Sequence, residues 1–317
     1  MSIIRTQAYY NSTTGEDMIR TLIWRNDELP PMGVVQISHG LTDHIDRYDR
    51  FARYLCEQGY VVCGNDHLGH GIAAAESGKL GNFGAPDTDI RMVDDMNVLA
   101  NIMKKKYPDL PYFLLGHSMG SFLARLYTAQ FGDGLSGLIL CGTTHVSGKL
   151  SVLSEWVLPF GEMIGADKYS DTGSEVLGKI TARYFKEDDD SAWLSVSREN
   201  RDEALNDPYF DYPITNASAM MVAKMLLRAS SDDCYAMIPQ GLPVMLISGG
   251  KDPIGLFGRG VLSACDKYEY YGADTFMKIY PGLRHEILNE DDYEGIYNDI
   301  LDWLNENNSM LLCNFYN

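Results

Sequence analysis

The sequence lacks the features of several protein classes. It has only 26 lysine and arginine residues against 44 aspartate and glutamate residues, which gives a formal net charge of −18. Nucleic acids and anionic lipid surfaces repel such a chain, so we expect no nucleic acid partner and favour a neutral or zwitterionic substrate. The chain has no apolar run of about eighteen residues and no basic segment followed by an apolar one at its N-terminus. It therefore predicts no integral membrane segment and a cytoplasmic location.

Paired cysteine spacings are also missing. The six cysteines are scattered, and none belongs to a C-x-x-C motif. Four of them lie within or beside apolar runs. Reduced, mostly buried thiols are therefore expected, in keeping with a reducing compartment.

Signatures of metal and nucleotide binding are weak. Four of the seven histidines lie near two adjacent strand ends, namely His39, His44, His67 and His70. They form no H-E-x-x-H or H-x-H-x-D array, so we predict no metal. The segment Gly69–Ala74 imitates a dinucleotide-binding fingerprint, but its glycines do not join a strand directly to a helix, and no acidic residue ends a strand about twenty positions later. We predict no cofactor.

Short apolar runs alternate with helix-length amphipathic stretches from about residue 33 to residue 142, which is typical of a parallel α/β sheet. The predicted strands are Val34–Ser38, Tyr60–Cys63, Tyr112–Leu115, Gly137–Cys141, Pro243–Ser248 and Thr275–Tyr280. The predicted helices are Asp46–Gln58, Ile90–Lys106, Phe122–Phe131 and Tyr293–Asn305. Ahead of them, Ile3–Tyr10 and Met18–Trp24 predict an antiparallel hairpin at a sheet edge.

The strand pattern is interrupted between about residues 145 and 235. Helical periodicity, aromatic residues and the acidic run Glu187–Asp190 replace it there. We interpret residues 145–235 as a helical cap inserted into one core domain formed by residues 1–144 and 236–317.

The segment Gly116-His117-Ser118-Met119-Gly120 predicts a nucleophilic serine. It follows an apolar strand and precedes a helix, so a tight turn can expose the Ser118 hydroxyl at the edge of the sheet. The glycines leave room for that turn, and the N-terminus of the following helix favours developing negative charge.

A serine hydroxyl needs a base beside it and an acid that orients the base. Asp252 lies just past one predicted strand, in Gly249-Gly250-Lys251-Asp252-Pro253, and His285 follows the last strand. A plain turn at Asp252 and a solvated loop histidine at His285 are the alternative interpretations. The order serine, aspartate, histidine is that of the α/β-hydrolase fold rather than of either major class of serine protease.

At these residues the chain resembles the monoacylglycerol lipase and lysophospholipase-like group of α/β-hydrolases, also called serine aminopeptidase-like hydrolases. The resemblance covers most of the chain outside the insertion. Five motifs in the family's order carry it, namely His39–His44 with Arg47-Tyr48, Asp66–Gly71, Gly116–Gly120, Gly249–Pro253 and His285–Glu290.

The resemblance implies an α/β-hydrolase fold, in which a mostly parallel sheet carries helices on both faces and a helical cap precedes the strand that bears the acid. It also implies that the backbone N–H groups of Leu41 and Met119 form the oxyanion hole, where one donor is commonly worth about 3 kcal/mol. His39 and Gly40 would shape the loop that aims the Leu41 amide. Ser121 departs from the family's pattern, which often has a second glycine there.

The resemblance further implies hydrolysis of carboxylic esters, with monoacylglycerol or lysophospholipid-type lipids as substrates and an acyl-enzyme on Ser118. A short-chain or aromatic-acyl carboxylesterase is the alternative, and a peptidase or a non-catalytic ligand-binding member is weaker still. The pattern makes no prediction of oligomeric state.

Apolar residues recur at helical spacing within the cap, namely Leu150, Leu153, Trp156, Val157 and Phe160, and again Met221, Met225 and Leu226. Packing of the cap onto the core is the simpler interpretation. The sharper hypothesis is that part of this surface lines an acyl-chain channel or makes transient contact with lipid.

Overall fold

The computed structural model describes residues 2–147, 165–169, 184–185 and 191–315, with side chains described as far as Asn308. The strands are β1 (Ile3–Asn11), β2 (Met18–Asn26), β3 (Gly33–Ser38), β4 (Tyr60–Asn65), β5 (Tyr112–His117), β6 (Gly137–Cys141), β7 (Pro243–Gly249) and β8 (Asp274–Tyr280). The α-helices are α1 (Asp49–Glu57), α2 (Gly71–Glu76), α3 (Thr88–Lys106), α4 (Met119–Phe131), α5 (Arg198–Leu205), α6 (Asn216–Ala229), α7 (Asp232–Ala236), α8 (Arg259–Tyr270) and α9 (Tyr293–Phe315).

One eight-stranded sheet organises the molecule, in the order β1-β2-β4-β3-β5-β6-β7-β8. The hairpin β1-β2 is antiparallel and joins β4 in antiparallel fashion, whereas the strands from β4 to β8 pair in parallel. The carboxyl ends of β3, β5, β7 and β8 therefore meet at one edge of the sheet. This edge is where open α/β sheets place their binding sites.

Alternating residues of each central strand pack onto opposite faces of the sheet. Leu114 and Leu138 face a core built with α3, α4 and α8, while Leu115 and Ile139 face a second core built with α1 and α9. Helices on both faces, with a mostly parallel sheet between them, confirm the predicted α/β-hydrolase fold.

Several boundaries differ from the sequence prediction. The stretch predicted as a helix from Asp46 begins instead with a 3₁₀ turn over Ile45–Tyr48, before α1. Helix α4 begins at Met119 rather than Phe122, and α9 continues past Asn305 to Phe315. In the described part of the chain no helix is long and apolar enough to cross a bilayer.

The described residues between β6 and β7 form helices α5, α6 and α7. Helix α6 lies against the body, because Met221 and Met225 belong to the core that also contains α3 and α4. The Ser218 hydroxyl accepts a hydrogen bond of 2.7 Å from the backbone of Phe83. The cap boundaries at residues 145 and 235 stay a prediction, and the run Glu187–Asp190 lies outside the described residues.

Candidate active site

Ser118 lies at a sharp turn between β5 and α4. Its backbone adopts φ 53° and ψ −122°, a strained conformation for a residue with a side chain. Gly120 makes the turn possible, because a Cβ there would collide with the backbone carbonyl oxygens of Ser38 and His39. Met119 begins α4, so its N–H is among the first-turn groups that have no partner within the helix.

Asp252 and His285 come together at the same edge of the sheet, although 33 positions separate them in the sequence. The His285 Nδ1 lies 3.0 Å from Asp252 Oδ2, and both side chains are buried. Asp252 also accepts hydrogen bonds from the Ser248 hydroxyl (3.1 Å) and from the backbone N–H of Ile254 (2.8 Å). These contacts fix the carboxylate, which in turn orients the imidazole.

The His285 ring packs between two other rings. The centre of the His117 ring lies 4.9 Å away and that of Trp193 lies 5.2 Å away. Burial lowers the pKa of His285, but the Asp252 carboxylate opposes it through charge and hydrogen bonding, so that the pKa lies above its ordinary value. Gly142 gives the ring its space, since a Cβ there would lie 3.0 Å from His285 Cε1.

The loop after β3 approaches the nucleophile closely. A Cβ on Gly40 would lie 3.4 Å from the Cβ of Ser118, which is van der Waals contact, so the loop runs directly beside the serine. Leu41, the next residue, lines the same cavity as Ser118 and Met119. The predicted oxyanion donors thus border the space where an ester carbonyl would meet the serine.

His39 supports this loop by two hydrogen bonds. Its Nδ1 donates to the Gly40 carbonyl oxygen (2.8 Å), and its Nε2 accepts from the backbone N–H of His67 (2.9 Å). The loop is therefore tied to the chain after β4. Ser121 contributes to the neighbouring turn, because its hydroxyl donates a hydrogen bond of 2.6 Å to the Ser118 carbonyl oxygen.

A charge cluster formed by Asp43, Arg47 and Glu286 lies beside the site and was not predicted as functional. Arg47 pairs with Glu286 through two hydrogen bonds of 2.7 and 2.9 Å and with Asp43 at 3.2 Å. Burial raises the pKa of each carboxyl group, but the charge of Arg47, joined at Asp43 by nearby histidines, outweighs it, so both pKa values lie below their ordinary range. All three residues lie in the family motifs named above, but those motifs did not reveal that the side chains form a cluster.

A cavity of about 360 Å³ opens over Ser118 and His285. Apolar side chains form most of its wall among the described residues, including Phe122, Val146, Trp193, Leu194, Phe210, Val222, Leu226 and Ile254. Trp193 and Leu194 are held over the site by backbone hydrogen bonds, because their carbonyl oxygens accept from the N–H groups of His285 (3.2 Å) and Glu286 (2.7 Å). This segment, too, was missed by sequence reasoning, since it lacks a periodic pattern.

Different residues of helix α6 support each of the two interpretations of the apolar cap surface. Met221 and Met225 pack into the core, as the simpler interpretation predicted, whereas Leu226 lines the cavity together with Val222. The predicted apolar stripe from Leu150 to Phe160 lies outside the described residues.

Comparison with known proteins gives concordant matches. The family model described as serine aminopeptidase, S33 (Hydrolase_4), matches residues 30–292. A monoacylglycerol lipase of Mycolicibacterium smegmatis is 26% identical over 285 residues, covering 89% of this chain and 91% of its own. Human monoglyceride lipase is 27% identical over 286 residues, covering 87% and 83%. The crystal structure of a thermostable carboxyl esterase from Bacillus coagulans superimposes with a TM-score of 0.88 at 32% identity, covering 97% of this chain and 99% of that one.

Proposed function

The chain belongs to the serine aminopeptidase S33 family of α/β-hydrolases, and we propose that it cleaves monoacylglycerol-type esters through an acyl-enzyme on Ser118. Its relatives and its structural neighbour are lipases and esterases, so the protein is a carboxylic ester hydrolase. The observation that carries the assignment of residues is the 3.0 Å contact between His285 Nδ1 and Asp252 Oδ2, because His285 lines the same cavity as Ser118.

In the proposed mechanism, Asp252 keeps the proton of neutral His285 on Nδ1, so that Nε2 can take the proton of the Ser118 hydroxyl. The serine oxygen attacks the ester carbonyl, and the backbone N–H groups of Leu41 and Met119 receive the oxyanion. The imidazolium then gives its proton to the leaving alcohol. A water molecule, activated by the same histidine, attacks the acyl-enzyme and releases the acid.

The cavity wall supports an acyl group of medium length. Its volume of about 360 Å³ lies near the lower end of the range that is usual for small-molecule pockets. A pocket of this size with an apolar wall suits an acyl chain of medium length, about six to ten carbons, esterified to a small polar alcohol.

An ester series tests this proposal. We expect kcat/KM to peak at acyl chains of about six to ten carbons among p-nitrophenyl esters and monoacylglycerols. Ser118→Ala serves as the blank, and it should lose both activity and labelling by a fluorophosphonate probe. Hydrolysis that persists in Ser118→Ala would refute the assignment of the nucleophile. Activity confined to acetyl or aromatic acyl groups would refute the lipid substrate.

A carboxylesterase of short-chain or aromatic acyl esters is the second candidate. The 32% identity to the carboxyl esterase over nearly the whole chain favours it. The same series, extended to aromatic acyl esters, distinguishes the two, because the second candidate predicts its maximum at acetyl, propionyl or aromatic acyl esters and no gain from longer alkyl chains.

We further propose a cytoplasmic location and transient contact with lipid through the cap. Free, buried thiols support the location, since the five cysteines whose side chains are described form no disulfide. Exposed apolar side chains in α5 and just before it, namely Val196 and Leu205, support the contact. Co-sedimentation with neutral phosphatidylcholine vesicles tests the contact, and fractionation of cells tests the location.

A further inference from the structure

Arg47 makes contacts that no role in the proposed mechanism explains. Its side chain is only 11% exposed, and its guanidinium binds both carboxylate oxygens of Glu286 and one of Asp43. The same guanidinium stacks at 3.9 Å on the ring of Phe210, which lines the cavity. Arginine suits such a site because its planar fork matches a carboxylate and its face stacks on an aromatic ring.

The two carboxylates connect Arg47 with the oxyanion loop and with the loop that carries His285. Asp43 accepts a hydrogen bond from the backbone N–H of Gly40 (3.3 Å), directly before the first oxyanion donor. Glu286 directly follows His285, and its own N–H is bound to the Leu194 carbonyl oxygen at 2.7 Å. A single cation therefore joins the oxyanion loop, the loop of the general base and the wall of the cavity.

We propose that Arg47 is a positioning residue that holds the oxyanion loop against the loop of His285 and balances the negative charge facing that histidine. The proposal rests on the proposed function, because it assigns Arg47 a part in acyl transfer at Ser118. Arg47 is not among the described residues that line the cavity, so it acts through the two loops.

Four groups face His285 from the elements packed around it. They are its partner Asp252 after β7, Glu286 on its own loop, Asp43 on the oxyanion loop and His117 at the end of β5. The charges of Glu286 and Asp43 raise the pKa of His285. Because Arg47 neutralises part of that charge, its removal should favour the protonated, inactive histidine, and removal of Glu286 should favour the neutral one.

The test uses variants of the full chain. In Arg47→Lys the charge remains but the fork is lost, and we expect kcat to fall about ten- to a hundredfold with KM within about twofold, as for a misplaced catalytic group. The acidic limb of the kcat/KM profile reports the free enzyme's base. It should move to higher pH in Arg47→Met, to lower pH in Glu286→Gln, and back towards the wild-type position in the double variant.

Arg50→Met is the matched control. Arg50 lies three residues further along, stacks at 4.0 Å on the ring of Tyr293, and has no carboxylate within ion-pair distance among the described side chains. It should leave both kcat and the acidic limb unchanged. If Arg47→Met does not fold, as circular dichroism would show, the downward shift in Glu286→Gln and the kcat of Arg47→Lys decide the question.

The proposal is overturned if the acidic limb stays in place in Glu286→Gln and in Arg47→Met, if both shift in the same direction, or if Arg47→Lys changes KM alone. Ser118→Ala separates this failure from that of the proposed function. If Ser118→Ala is inactive while the acidic limb does not move in Glu286→Gln and Arg47→Met, only the role of Arg47 is refuted. If Ser118→Ala remains active, the proposed mechanism itself is refuted.

Discussion

Replacing Asp252 by asparagine should reverse the tautomer of His285 without changing the shape of the site. The two carboxylate oxygens accept from three donors. Oδ1 accepts from the backbone N–H of Ile254 at 2.8 Å, while Oδ2 faces His285 Nδ1 at 3.0 Å and the Ser248 hydroxyl at 3.1 Å. An asparagine has one oxygen, and the fixed backbone donor of Ile254 should claim it.

The amide NH₂ of Asp252→Asn then points at His285 Nδ1, which can only accept. The imidazole proton must therefore sit on Nε2, the nitrogen that has to receive the proton of the serine. In a serine protease with the same three catalytic residue types, this exchange lowers kcat by about 10⁴-fold, or about 5 kcal/mol of transition-state stabilisation. We expect a loss of this order, with little change in KM.

Steady-state kinetics with a medium-chain p-nitrophenyl ester would measure this loss, and urea unfolding would check that the fold is retained. The acidic limb of kcat/KM should also move to lower pH, because Asp252 raises the pKa of His285 in the wild type. Asp274→Asn, at an exposed position that begins β8, is the control. An Asp252→Asn enzyme within tenfold of the wild-type kcat would refute the reasoning.

Three further substitutions probe the frame of the site. Gly120→Ala should lower the free energy of unfolding by about 1–3 kcal/mol in urea titrations, because its methyl group meets the Ser38 carbonyl oxygen; an unchanged midpoint would contradict the tight packing. Leu256 has φ 53°, so Leu256→Gly should be about 1 kcal/mol more stable than Leu256→Ala, which loses the same side chain but keeps the strain; equal stabilities would argue against strain. Because the pKa of Asp43 is lowered in the folded protein, its ionised carboxylate stabilises the fold above the ordinary pKa of aspartate, and this stabilisation is lost as the pH falls further. The free energy of unfolding that Asp43→Asn loses relative to the wild type should therefore become smaller from pH 6 to pH 3 in urea titrations. A loss independent of pH would exclude a contribution from the ionisation of Asp43.

Local sequence patterns were enough to predict the central strands and the tight turn at Ser118. Apolar runs of β-branched residues mark central strands because both faces of a parallel sheet are buried. Such strands end at one edge of the sheet, so a serine, an aspartate and a histidine that follow three of them lie at that same edge. The structure brings Asp252 and His285 into hydrogen-bond distance and lines one cavity with Ser118 and His285.

Helix boundaries were predicted less well, for physical reasons. Periodicity does not separate a 3₁₀ turn from an α-helix over one turn, so the turn at Ile45–Tyr48 was merged with α1. The predicted end of the last helix at Asn305 lies just before the polar run Glu306–Ser309, in which asparagine is a weak helix former. Side-chain contacts oppose that preference: Asn307 donates to the Trp303 carbonyl oxygen one turn back in the same helix (2.8 Å), and Asn308 makes a tertiary contact with the carbonyl oxygen of Met32 (3.1 Å).

The charge cluster of Asp43, Arg47 and Glu286 could not be predicted from local sequence patterns. Arg47 and Glu286 are 239 positions apart, and although each belongs to a family motif, neither segment indicates that the two side chains pair. Only the fold brings the loop after β3 and the loop after β8 together and buries the pair there. The protonation of His285 then depends on the charges of side chains other than the predicted serine, aspartate and histidine. A family motif such as Arg47-Tyr48 can therefore carry a role in catalysis that becomes visible only once its partner across the sheet edge is known.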